Sequence, residues 1–577
     1  MKYTRALSRY PFTLSAAASA VVLLLSGCSG GGTDNTSTNT PPPVVSTPDN
    51  IALFANQVGF IPEQEKEIVI IANQVYRFDV TKTDNNQVVL SGESSQPMMW
   101  PLAGESASII DVSTITEEGN YRLTLDGSND SVSFAIRNDA YGDVHDAAIK
   151  AYYFNRASFA LDPAYAGQWQ RPAGHLDDQA AVLDNPSDVR PSAKGWYDAG
   201  DYNKYIVNSG ISTYTLLRAY LDFGDFYANR QWNIPESTNT QPDMLDEILW
   251  NLDWMATMQD SDGSVFHKLT TLNFAPDVMP HEANEQRYFV GKGTAAALNF
   301  AAVMATAARV FPASANSYQN AAERAWQWAV ANPDMPYRNP ENVRTGEYGD
   351  TSFGDEFAWA ASELLITTGK AEYLEAVSSH LGTPSTPSWG GTMGLAYLSL
   401  LKEGESRLGA SDYQTIKQDF LNYADQLVTT DTESAFHVAM LENDFVWGSN
   451  GVAMNHGMML ATAYSLTGNE NYRTAMSHLV DYVLGKNPTG YSFVTGFGTK
   501  PPRFIHHRQS QADDVADPVP GFVAGGPHSG QQDGCTYPSD LPATSYVDDW
   551  CSYASNEVAI NWNAPLVYTL AAMNNLY

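Results

Sequence analysis

Residues 293–332 read GTAAALNFAAVMATAARVFPASANSYQNAAERAWQWAVAN, and this run sets the architecture of most of the chain. Apolar residues recur at helical spacing on both sides of a short Phe-Pro-Ala-Ser link, so the run predicts a hairpin of two packed helices. Other segments with the same period lie near 143–160, 209–224, 243–259, 354–368, 370–381, 390–403, 411–428, 450–467, 470–485 and 556–575. About a dozen helices in one unit predict six hairpins closed into a ring, an (α/α)6 barrel.

Ahead of the helices lies a segment with the two-residue period of β-strands. Apolar and polar residues alternate in runs such as 121–125 and 131–136, and turn signals such as Glu118-Gly119-Asn120 separate the runs. The pattern predicts a small all-β sandwich over 51–138, followed by an all-α domain over 140–577. The chain is therefore expected to be multidomain.

The beginning of the chain carries an export signal. Basic residues precede an apolar run that ends in Leu25-Ser26-Gly27-Cys28, which resembles a bacterial lipobox. This predicts a lipoprotein signal peptide over 1–27 and a lipidated Cys28 as the membrane attachment. Residues 28–50 are rich in Gly, Ser, Thr and Pro and predict a flexible linker. Ser29 stands where an inner-membrane retention signal would place Asp, which favours the outer membrane or the cell surface.

The charge balance excludes one class of partner and the aromatic content suggests another. The 577 residues include 65 Asp plus Glu against 32 Lys plus Arg, for a net charge of -33. Such a chain repels phosphate backbones, so nucleic acid is not an expected partner. Phe, Trp and Tyr make up 12% of the residues and provide flat apolar faces of the kind that stack on sugar rings.

Two carboxylates stand three residues apart in Trp196-Tyr197-Asp198-Ala199-Gly200-Asp201. Such a pair can hold one water between its oxygens. A water held by a base is what an inverting glycosidase directs at the far side of a sugar ring. An Asp-rich turn that caps the next helix or binds a structural cation is the alternative interpretation.

Two later segments supply groups for the same chemistry. His506 and Arg508 can hydrogen-bond the hydroxyls of a sugar. Glu557 is expected at the start of the last helix with Tyr553 and Trp562 nearby, and desolvation by such neighbours keeps a carboxyl group protonated, as a general acid requires. The alternative is a surface Glu that complements the helix dipole.

Cys535 and Cys551 are the cysteines that remain once Cys28 is assigned to the lipid. Because an exported protein meets oxidising conditions, the two predict a disulfide, with a pair of free buried thiols as the alternative. A bridge would close a loop of about 15 residues and contribute about 3 kcal/mol to stability.

Taken together, the motifs resemble those of family 9 glycoside hydrolases, the inverting cellulases built on an (α/α)6 barrel. Residues 198–201, 492–508 and 546–564 are similar to the three signatures of that family and occur in the same order. Similarity extends to Val446-Trp447-Gly448-Ser449-Asn450. Asn56-Gln57-Val58-Gly59-Phe60 resembles the opening of the immunoglobulin-like module that some members carry ahead of the barrel.

The resemblance implies a role for each matching residue. Asp201 would be the catalytic base, Asp198 would position the water, and Glu557 would be the general acid. His506 would occupy the active-site histidine position, and Asp548 would be a supporting carboxylate. The expected substrate contacts are Arg508, Trp196, Tyr553 and Trp447.

The resemblance also bears on metals. Residues 351–356 resemble the calcium loop of the family, and a structural calcium is expected on the hard oxygen ligands of Thr351, Gly354, Asp355 and Glu356. Many members with the N-terminal module bind zinc through cysteines and histidine, but Ala157 and Gly174 stand where the thiolates would be, beside His175. Zinc is therefore not expected, and catalysis is expected to need no cofactor.

The function implied is hydrolysis of β-1,4-glucosidic bonds, with inversion, in cellulose-type glucans or cello-oligosaccharides by a monomer. Two alternatives stay open at this point. A few family members are exo-acting glucosaminidases on chitosan oligomers, and a lipoprotein of this fold could bind glycans without cleaving them. The sequence does not distinguish endo from exo action.

Overall fold

The computed structural model describes residues 51–577. The predicted signal peptide, the lipidated Cys28 and the 28–50 linker lie outside the described residues. Between residues 51 and 577, no helix has both the length and the apolar content that a bilayer span requires.

The N-terminal domain is a sandwich of two four-stranded sheets. Its strands are β1 (Leu53–Phe54), β2 (Glu67–Ile71), β3 (Arg77–Lys82), β4 (Gln87–Glu93), β5 (Met98–Trp100), β6 (Glu105–Asp111), β7 (Gly119–Leu125) and β8 (Ser131–Ile136). One sheet has the order β1-β2-β6-β5 and the other β4-β3-β7-β8, and neighbouring strands in both sheets are antiparallel. Alternate residues such as Val80, Leu123 and Phe134 point into a shared core because the side-chain period of a strand is two.

The second domain contains twelve long helices. They are α1 (Gly142–Phe154), α2 (Ile206–Asp222), α3 (Asp243–Thr257), α4 (Thr294–Val310), α5 (Ala315–Ala331), α6 (Gly354–Thr368), α7 (Ala371–His380), α8 (Met393–Glu403), α9 (Ala410–Glu433), α10 (Ser449–Thr467), α11 (Glu470–Val483) and α12 (Ile560–Leu576). The even-numbered helices form an inner ring, in which each contacts the next and α12 closes against α2. The odd-numbered helices lie outside them.

The residue pattern explains which helix is inner and which is outer. Every residue of α4 from Thr294 to Ala308 is buried, and its many alanines allow neighbouring helices to approach closely. In α5, by contrast, burial is confined to the face that carries Ala322, Ala325, Trp326 and Ala329. A helix that is apolar all round belongs inside, and one with a single apolar stripe belongs outside. The fold class predicted from the sequence, a sandwich followed by an (α/α)6 barrel, is confirmed.

Some predicted boundaries are wrong at the ends of the barrel. The first helix ends at Phe154 rather than near 160, and the last begins at Ile560 rather than near 556. The last helix starts late because Glu557 and Val558 are extended and pair with His506 and Ala524. The structure also contains a small sheet that the sequence pattern did not predict. Its strands are β9 (Ala180–Val182), β10 (Asn185–Arg190), β11 (Lys204–Tyr205), β12 (Phe266–Thr270) and β13 (Tyr288–Lys292), and their order in the sheet is β10-β9-β13-β12-β11.

The sandwich is fastened to the barrel by the Asn56-Gln57 segment. The Asn56 side-chain amide donates to Asp481 Oδ1 at 2.7 Å, and the Gln57 backbone N–H donates to the Leu484 carbonyl at 2.9 Å. Gln57 Oε1 accepts from the backbone of Thr499 and Lys500, at 2.9 Å in each case. These contacts, buried at Asn56 and exposed at Thr499 and Lys500, tie the beginning of the sandwich to α11 and to the long irregular segment that follows it.

Candidate active site

Asp198 and Asp201 lie on a tight loop that leads through β11 into the inner helix α2. The Asp198 backbone N–H donates to the Asn203 carbonyl at 3.1 Å, which closes the loop on itself. The Ile560 N–H donates to the Asp198 carbonyl at 2.9 Å, which fixes the loop to the start of α12. Both carboxylates are buried, at 1% and 5% exposure, so their positions are set by the protein rather than by solvent.

Asp198 is held by donors on both of its oxygens. The Asn208 amide donates to Oδ1 and the Tyr348 hydroxyl donates to Oδ2, each at 2.6 Å. Burial, and secondarily the charge of Asp201, raise the pKa of Asp198 against the effect of these two hydrogen bonds. Burial therefore favours the protonated form of Asp198.

Asp201 has the arrangement that a general base needs. Its Oδ2 accepts from the Asn203 side chain at 2.6 Å and from the Tyr205 hydroxyl at 3.0 Å. Tyr205 is itself oriented by the Gly346 N–H, which donates to its hydroxyl at 3.2 Å. No described residue donates a hydrogen bond to Asp201 Oδ1, so one carboxylate oxygen can accept from a water.

Glu557 lies on the extended segment between a short helix, Tyr553–Asn556, and α12. The expectation that it begins a helix is wrong, and with it the interpretation of Glu557 as a dipole-complementing surface residue. The Gly200 N–H donates to Glu557 Oε1 at 3.2 Å, which places this carboxyl group against the loop of Asp198 and Asp201. Burial, and secondarily the charge of Asp201, hold the pKa of Glu557 well above the usual carboxyl range. The group therefore keeps its proton, as a general acid must.

Gly200 is the point at which the three motifs meet. A Cβ at this position would lie 2.3 Å from the His506 carbonyl oxygen and 3.0 Å from Glu557 Oε1, so only glycine can be accommodated. The Gly200 carbonyl accepts from the Arg508 backbone N–H at 3.1 Å and from Arg508 Nη1 at 2.9 Å. Arg508 Nε donates to the Ala275 carbonyl at 2.8 Å. These contacts make Arg508 a residue that positions the loop of the carboxylates.

His506 is oriented by the segment around Trp550. Its Nδ1 donates to the Trp550 carbonyl at 2.8 Å, and its ring stacks on the Trp550 indole at a centroid distance of 4.4 Å. Burial lowers the pKa of His506, so the ring is neutral and Nε2 is left as an acceptor. Asp548 acts one step away, because its oxygens accept from the backbone N–H groups of Arg503 and Phe504, both at 2.9 Å. Asp548 thus holds the His506 segment in place.

Aromatic side chains extend from this centre. Trp447 is 43% exposed and its ring centroid lies 5.3 Å from that of Tyr553, which in turn lies 6.0 Å from His506. An exposed indole beside a catalytic centre suits stacking on a sugar ring. The prediction that Trp196 contacts substrate is wrong, because Trp196 is fully buried and donates its indole N–H to Glu247 at 2.8 Å.

Several functional residues were not found from the sequence. Asn203, Tyr205 and Asn208 follow the carboxylate motif directly, so their polar groups beside it were an available signal. Tyr348 had none, because it lies 150 residues from the carboxylate to which it donates. The Tyr348 backbone has φ of 46°, a left-handed conformation that non-glycine residues rarely adopt outside functional positions.

The residues expected to bind calcium lie at the start of α6, where the partly exposed Asp355 and Asp350 flank one buried carboxyl group, that of Glu356. Glu356 is fully buried, and neither of its carboxylate oxygens has a hydrogen-bond partner among the described residues. Burial and the charges of Asp355 and Asp350 hold the pKa of Glu356 well above its usual range. Thr351 and Gly354 are exposed beside it. Carboxylate oxygens without hydrogen-bond partners fit a calcium ion, which prefers oxygen ligands. Asp350 is a further carboxylate at this site that the sequence pattern did not indicate.

The position considered for zinc is closely packed. A Cβ on Gly174 would lie 2.5 Å from the carbonyl carbon and oxygen of Pro280. His175 Nδ1 is hydrogen-bonded to the Tyr197 hydroxyl at 2.8 Å, and burial strongly lowers the His175 pKa. Tyr197 is therefore a structural partner of His175.

The predicted disulfide between Cys535 and Cys551 is confirmed, with a Cα–Cα distance of 6.0 Å. Just outside the loop that it closes, Asp533 Oδ2 accepts from the Ala554 N–H and the Ser552 hydroxyl, both at 3.0 Å. Those two residues lie just ahead of Glu557. The bridge therefore limits the motion of the segment that carries the acid.

Comparisons with known proteins agree with this geometry. The family profile described as glycosyl hydrolase family 9 matches residues 141–570, and the profile described as cellulase N-terminal Ig-like domain matches residues 49–130. The chain is 42% identical over 558 residues to a xyloglucan-specific endo-β-1,4-glucanase of Bacteroides ovatus, covering 91% of this chain and 94% of that protein. It is 34% identical over 535 residues to endoglucanase D of Acetivibrio thermocellus, covering 90% of this chain and 83% of that protein. A solved structure described as Bacteroides ovatus GH9 superposes with a TM-score of 0.85 at 39% identity, covering 91% of this chain and 99% of that chain.

Proposed function

This chain belongs to glycosyl hydrolase family 9 and is a glycoside hydrolase of β-1,4-glucans, and from that premise we propose that it is an inverting endo-β-1,4-glucanase in which Glu557 is the general acid and Asp201 the general base. One observation carries the assignment. The Gly200 N–H donates to Glu557 Oε1 at 3.2 Å, although the two residues are 357 positions apart. This contact places the acid Glu557 beside the loop that carries the base Asp201. The raised pKa of Glu557 matches the role of acid, and Asp201 Oδ1, which accepts from no described residue, can hold the water that a base activates.

Glu557 acts on the leaving group. Its proton passes to the glycosidic oxygen while the bond between that oxygen and the anomeric carbon breaks. The Gly200 N–H stabilises the carboxylate that Glu557 becomes, and Arg508 adds positive charge nearby. As positive charge develops on the sugar ring, the neighbouring carboxylates stabilise it.

Asp201 acts on the opposite face of the sugar. It takes a proton from a water whose oxygen forms the new bond to the anomeric carbon, so the configuration inverts and the product is the α-anomer. Asp198 supplies the second contact to that water. Tyr348 and Asn208 keep Asp198 in one orientation, and Tyr205 and Asn203 do the same for Asp201.

The test follows product configuration and product size together. The purified protein is incubated with carboxymethylcellulose, xyloglucan and cellopentaose, while viscosity is recorded and the anomers are resolved by proton NMR. A rapid fall in viscosity with initial α-anomeric products is expected. Initial β-anomers would refute inversion, and trimming of cellopentaose without a viscosity change would refute endo action.

Two substitutions test the residue roles. Glu557→Gln and Asp201→Asn are expected to lose nearly all turnover while keeping the circular dichroism spectrum of the wild type. Glu375→Gln, on the exposed side of the outer helix α7, is the matched control and should keep full activity. Substantial turnover in either active-site variant would contradict the assignment.

The site preceding α6 is proposed to hold a structural calcium. Asp350, Asp355 and Glu356 would supply carboxylate oxygens, and Thr351 and Gly354 could complete the set. Bound calcium would neutralise the buried Glu356 carboxylate, whose two oxygens have no hydrogen-bond partner among the described residues. Calcium is expected to raise the melting temperature of the wild-type protein and to leave that of Glu356→Gln unchanged. An equal shift in both proteins would place the ion elsewhere.

Location and assembly rest on the sequence. The protein is proposed to be exported, attached by a lipid on Cys28 at the outer membrane or cell surface, and monomeric. Labelling cells with a fatty-acid probe should mark the wild type and leave Cys28→Ala unmarked. Light scattering of the purified protein should give the mass of one chain.

A further inference from the structure

Glu67, His437 and His478 form a buried cluster at the boundary between the sandwich and the barrel. Glu67 begins strand β2 of the sandwich, His437 lies between α9 and α10, and His478 lies on α11. One ligand atom from each residue lies within 4.8 Å of the others. The Glu67 and His478 side chains are 3% exposed and the His437 side chain is 29% exposed. No step of the hydrolytic reaction uses this cluster.

One contact distance already has the spacing of groups that share an ion. Tetrahedral ligands with bonds of about 2.0–2.1 Å are roughly 3.4 Å apart. Glu67 Oε2 lies 3.3 Å from His478 Nε2, which is close to that spacing. His437 Nδ1 is hydrogen-bonded to Glu67 Oε1 at 2.7 Å, so an ion between these two atoms would have to replace that hydrogen bond.

His478 is prepared in the way that metal-binding histidines usually are. Its Nδ1 donates to Asp431 Oδ2 at 2.9 Å, a hydrogen bond that fixes the ring orientation and directs Nε2 toward Glu67. Among the described residues, His478 Nε2 has no hydrogen-bond partner although it is buried. In metal sites, one ring nitrogen of a histidine binds the ion and the other donates to a carboxylate. His478 has this arrangement, because Nδ1 donates to Asp431 and the Nε2 lone pair faces Glu67.

The charge around the histidines leaves room for a cation. Glu67 and Asp431, which are both buried, contact the histidines, and Lys486 Nζ lies 3.0 Å from Glu67 Oε2. The nearby Asp481 interacts with a second buried ammonium group, that of Lys66. Protonated imidazoles would add positive charge beside Lys486, with imidazole centroids 5.4 Å apart. A divalent ion would supply positive charge to neutral histidines while binding the carboxylate directly.

His437 gives the cluster both strain and access. Its backbone φ of 43° is left-handed, a conformation that persists in a non-glycine residue only where its surroundings impose it. The half-buried ring faces solvent on one side, which gives an ion a way in and leaves room for a water as a further ligand. A partly exposed histidine at the edge of the cluster can complete the coordination of an ion that enters from solvent.

We propose that Glu67, His437 and His478 bind a divalent transition metal of the zinc class that joins the sandwich to the barrel. Two imidazoles and one carboxylate are a donor set that zinc binds readily. The site is separate from the cysteine position that the sequence analysis considered, because its three ligands come from three distant segments. Its role is structural, since the ion would link β2 to α11 across the boundary.

The test is zinc binding to the whole purified protein. After treatment with EDTA and dialysis, zinc is titrated by calorimetry and bound metal is counted by mass spectrometry, with cobalt(II) as a spectroscopic substitute. The proposal predicts one zinc that resists dialysis, a higher melting temperature with zinc, and a tetrahedral cobalt spectrum. Absence of stoichiometric zinc, or zinc that leaves the melting temperature unchanged, would overturn it.

Variants identify the ligands. His437→Gln should weaken zinc binding at least tenfold and abolish the cobalt spectrum, whereas His437→Cys, which keeps a ligand, should retain binding. His528→Gln is the matched control, because His528 is also half-buried but is hydrogen-bonded to a carbonyl and to an amide. Unaltered zinc affinity in His437→Gln would show that the ion binds elsewhere. If that variant melts early even without zinc, the wild-type cobalt spectrum decides, since an octahedral all-oxygen spectrum contradicts the proposal.

Discussion

Replacing Gly200 with Ala should disable catalysis while leaving the fold intact. The new methyl carbon would lie 2.3 Å from the His506 carbonyl oxygen, 2.9 Å from His506 Cδ2 and 3.0 Å from Glu557 Oε1. Non-bonded contacts of a carbon atom are ordinarily longer than about 3 Å, so the segment that carries His506 or the loop that carries Asp198 and Asp201 must move by about 1 Å. A displacement of this size between reacting groups lowers turnover roughly 100-fold, and overpacking costs about 1–3 kcal/mol of stability.

The assay measures kcat and KM on a soluble β-1,4-glucan, with thermal unfolding followed on the same samples. Gly224→Ala is the matched control, because a Cβ at Gly224 would meet nothing within 4 Å. The control should keep wild-type turnover, and Gly200→Ala should lose kcat far more than it loses affinity. A Gly200→Ala enzyme with wild-type kcat would refute the contact between the acid and the carboxylate loop.

Three further predictions concern the acid, the water-holding carboxylate and the disulfide. The folded protein raises the pKa of Glu557, so ionisation of this group destabilises the fold as pH rises from the usual carboxyl range through the raised pKa. The melting temperature of Glu557→Gln should therefore rise relative to that of the wild type as pH increases. A difference in melting temperature that stays constant with pH would contradict this. Tyr348→Phe removes a hydrogen bond that lowers the pKa of Asp198, so that pKa should rise further and kcat should fall about 10–100-fold, with the pH–rate profile as the check. Replacing Cys535 and Cys551 by Ser together should reduce the free energy of unfolding by about 3 kcal/mol in urea titrations, and an unchanged midpoint would show that the bridge adds nothing.

The active site is organised around backbone contacts as much as around side chains. The Gly200 carbonyl accepts from Arg508 at 2.9 Å, and the Gly200 N–H donates to Glu557 at 3.2 Å, so the backbone of one residue connects the base loop to the acid. The Asp548 carboxylate holds the segment before His506 through two further N–H groups. Substitutions at Arg508 and Asp548 are therefore expected to act through geometry.

The sequence by itself determined the architecture and the reacting groups, because both depend on local pattern. The periods of the apolar residues separated strands from helices, and the uniformly apolar α4 differed from the one-sided α5 within a single hairpin. Asp198, Asp201 and Glu557 lie in runs whose residue types indicate their chemistry. The pairing of Cys535 with Cys551 followed from a count of cysteines.

Only the tertiary structure decided which groups act on which, because those contacts join residues far apart in the chain. Trp196 has the residue type of a sugar platform, yet packing buries it completely. Tyr348 carries no local signal, yet it orients Asp198 across 150 residues. Glu557 was expected on a helix, but pairing with His506 keeps it extended. Burial, pKa and partner choice depend on what surrounds a residue in space, and a one-dimensional pattern does not contain that information.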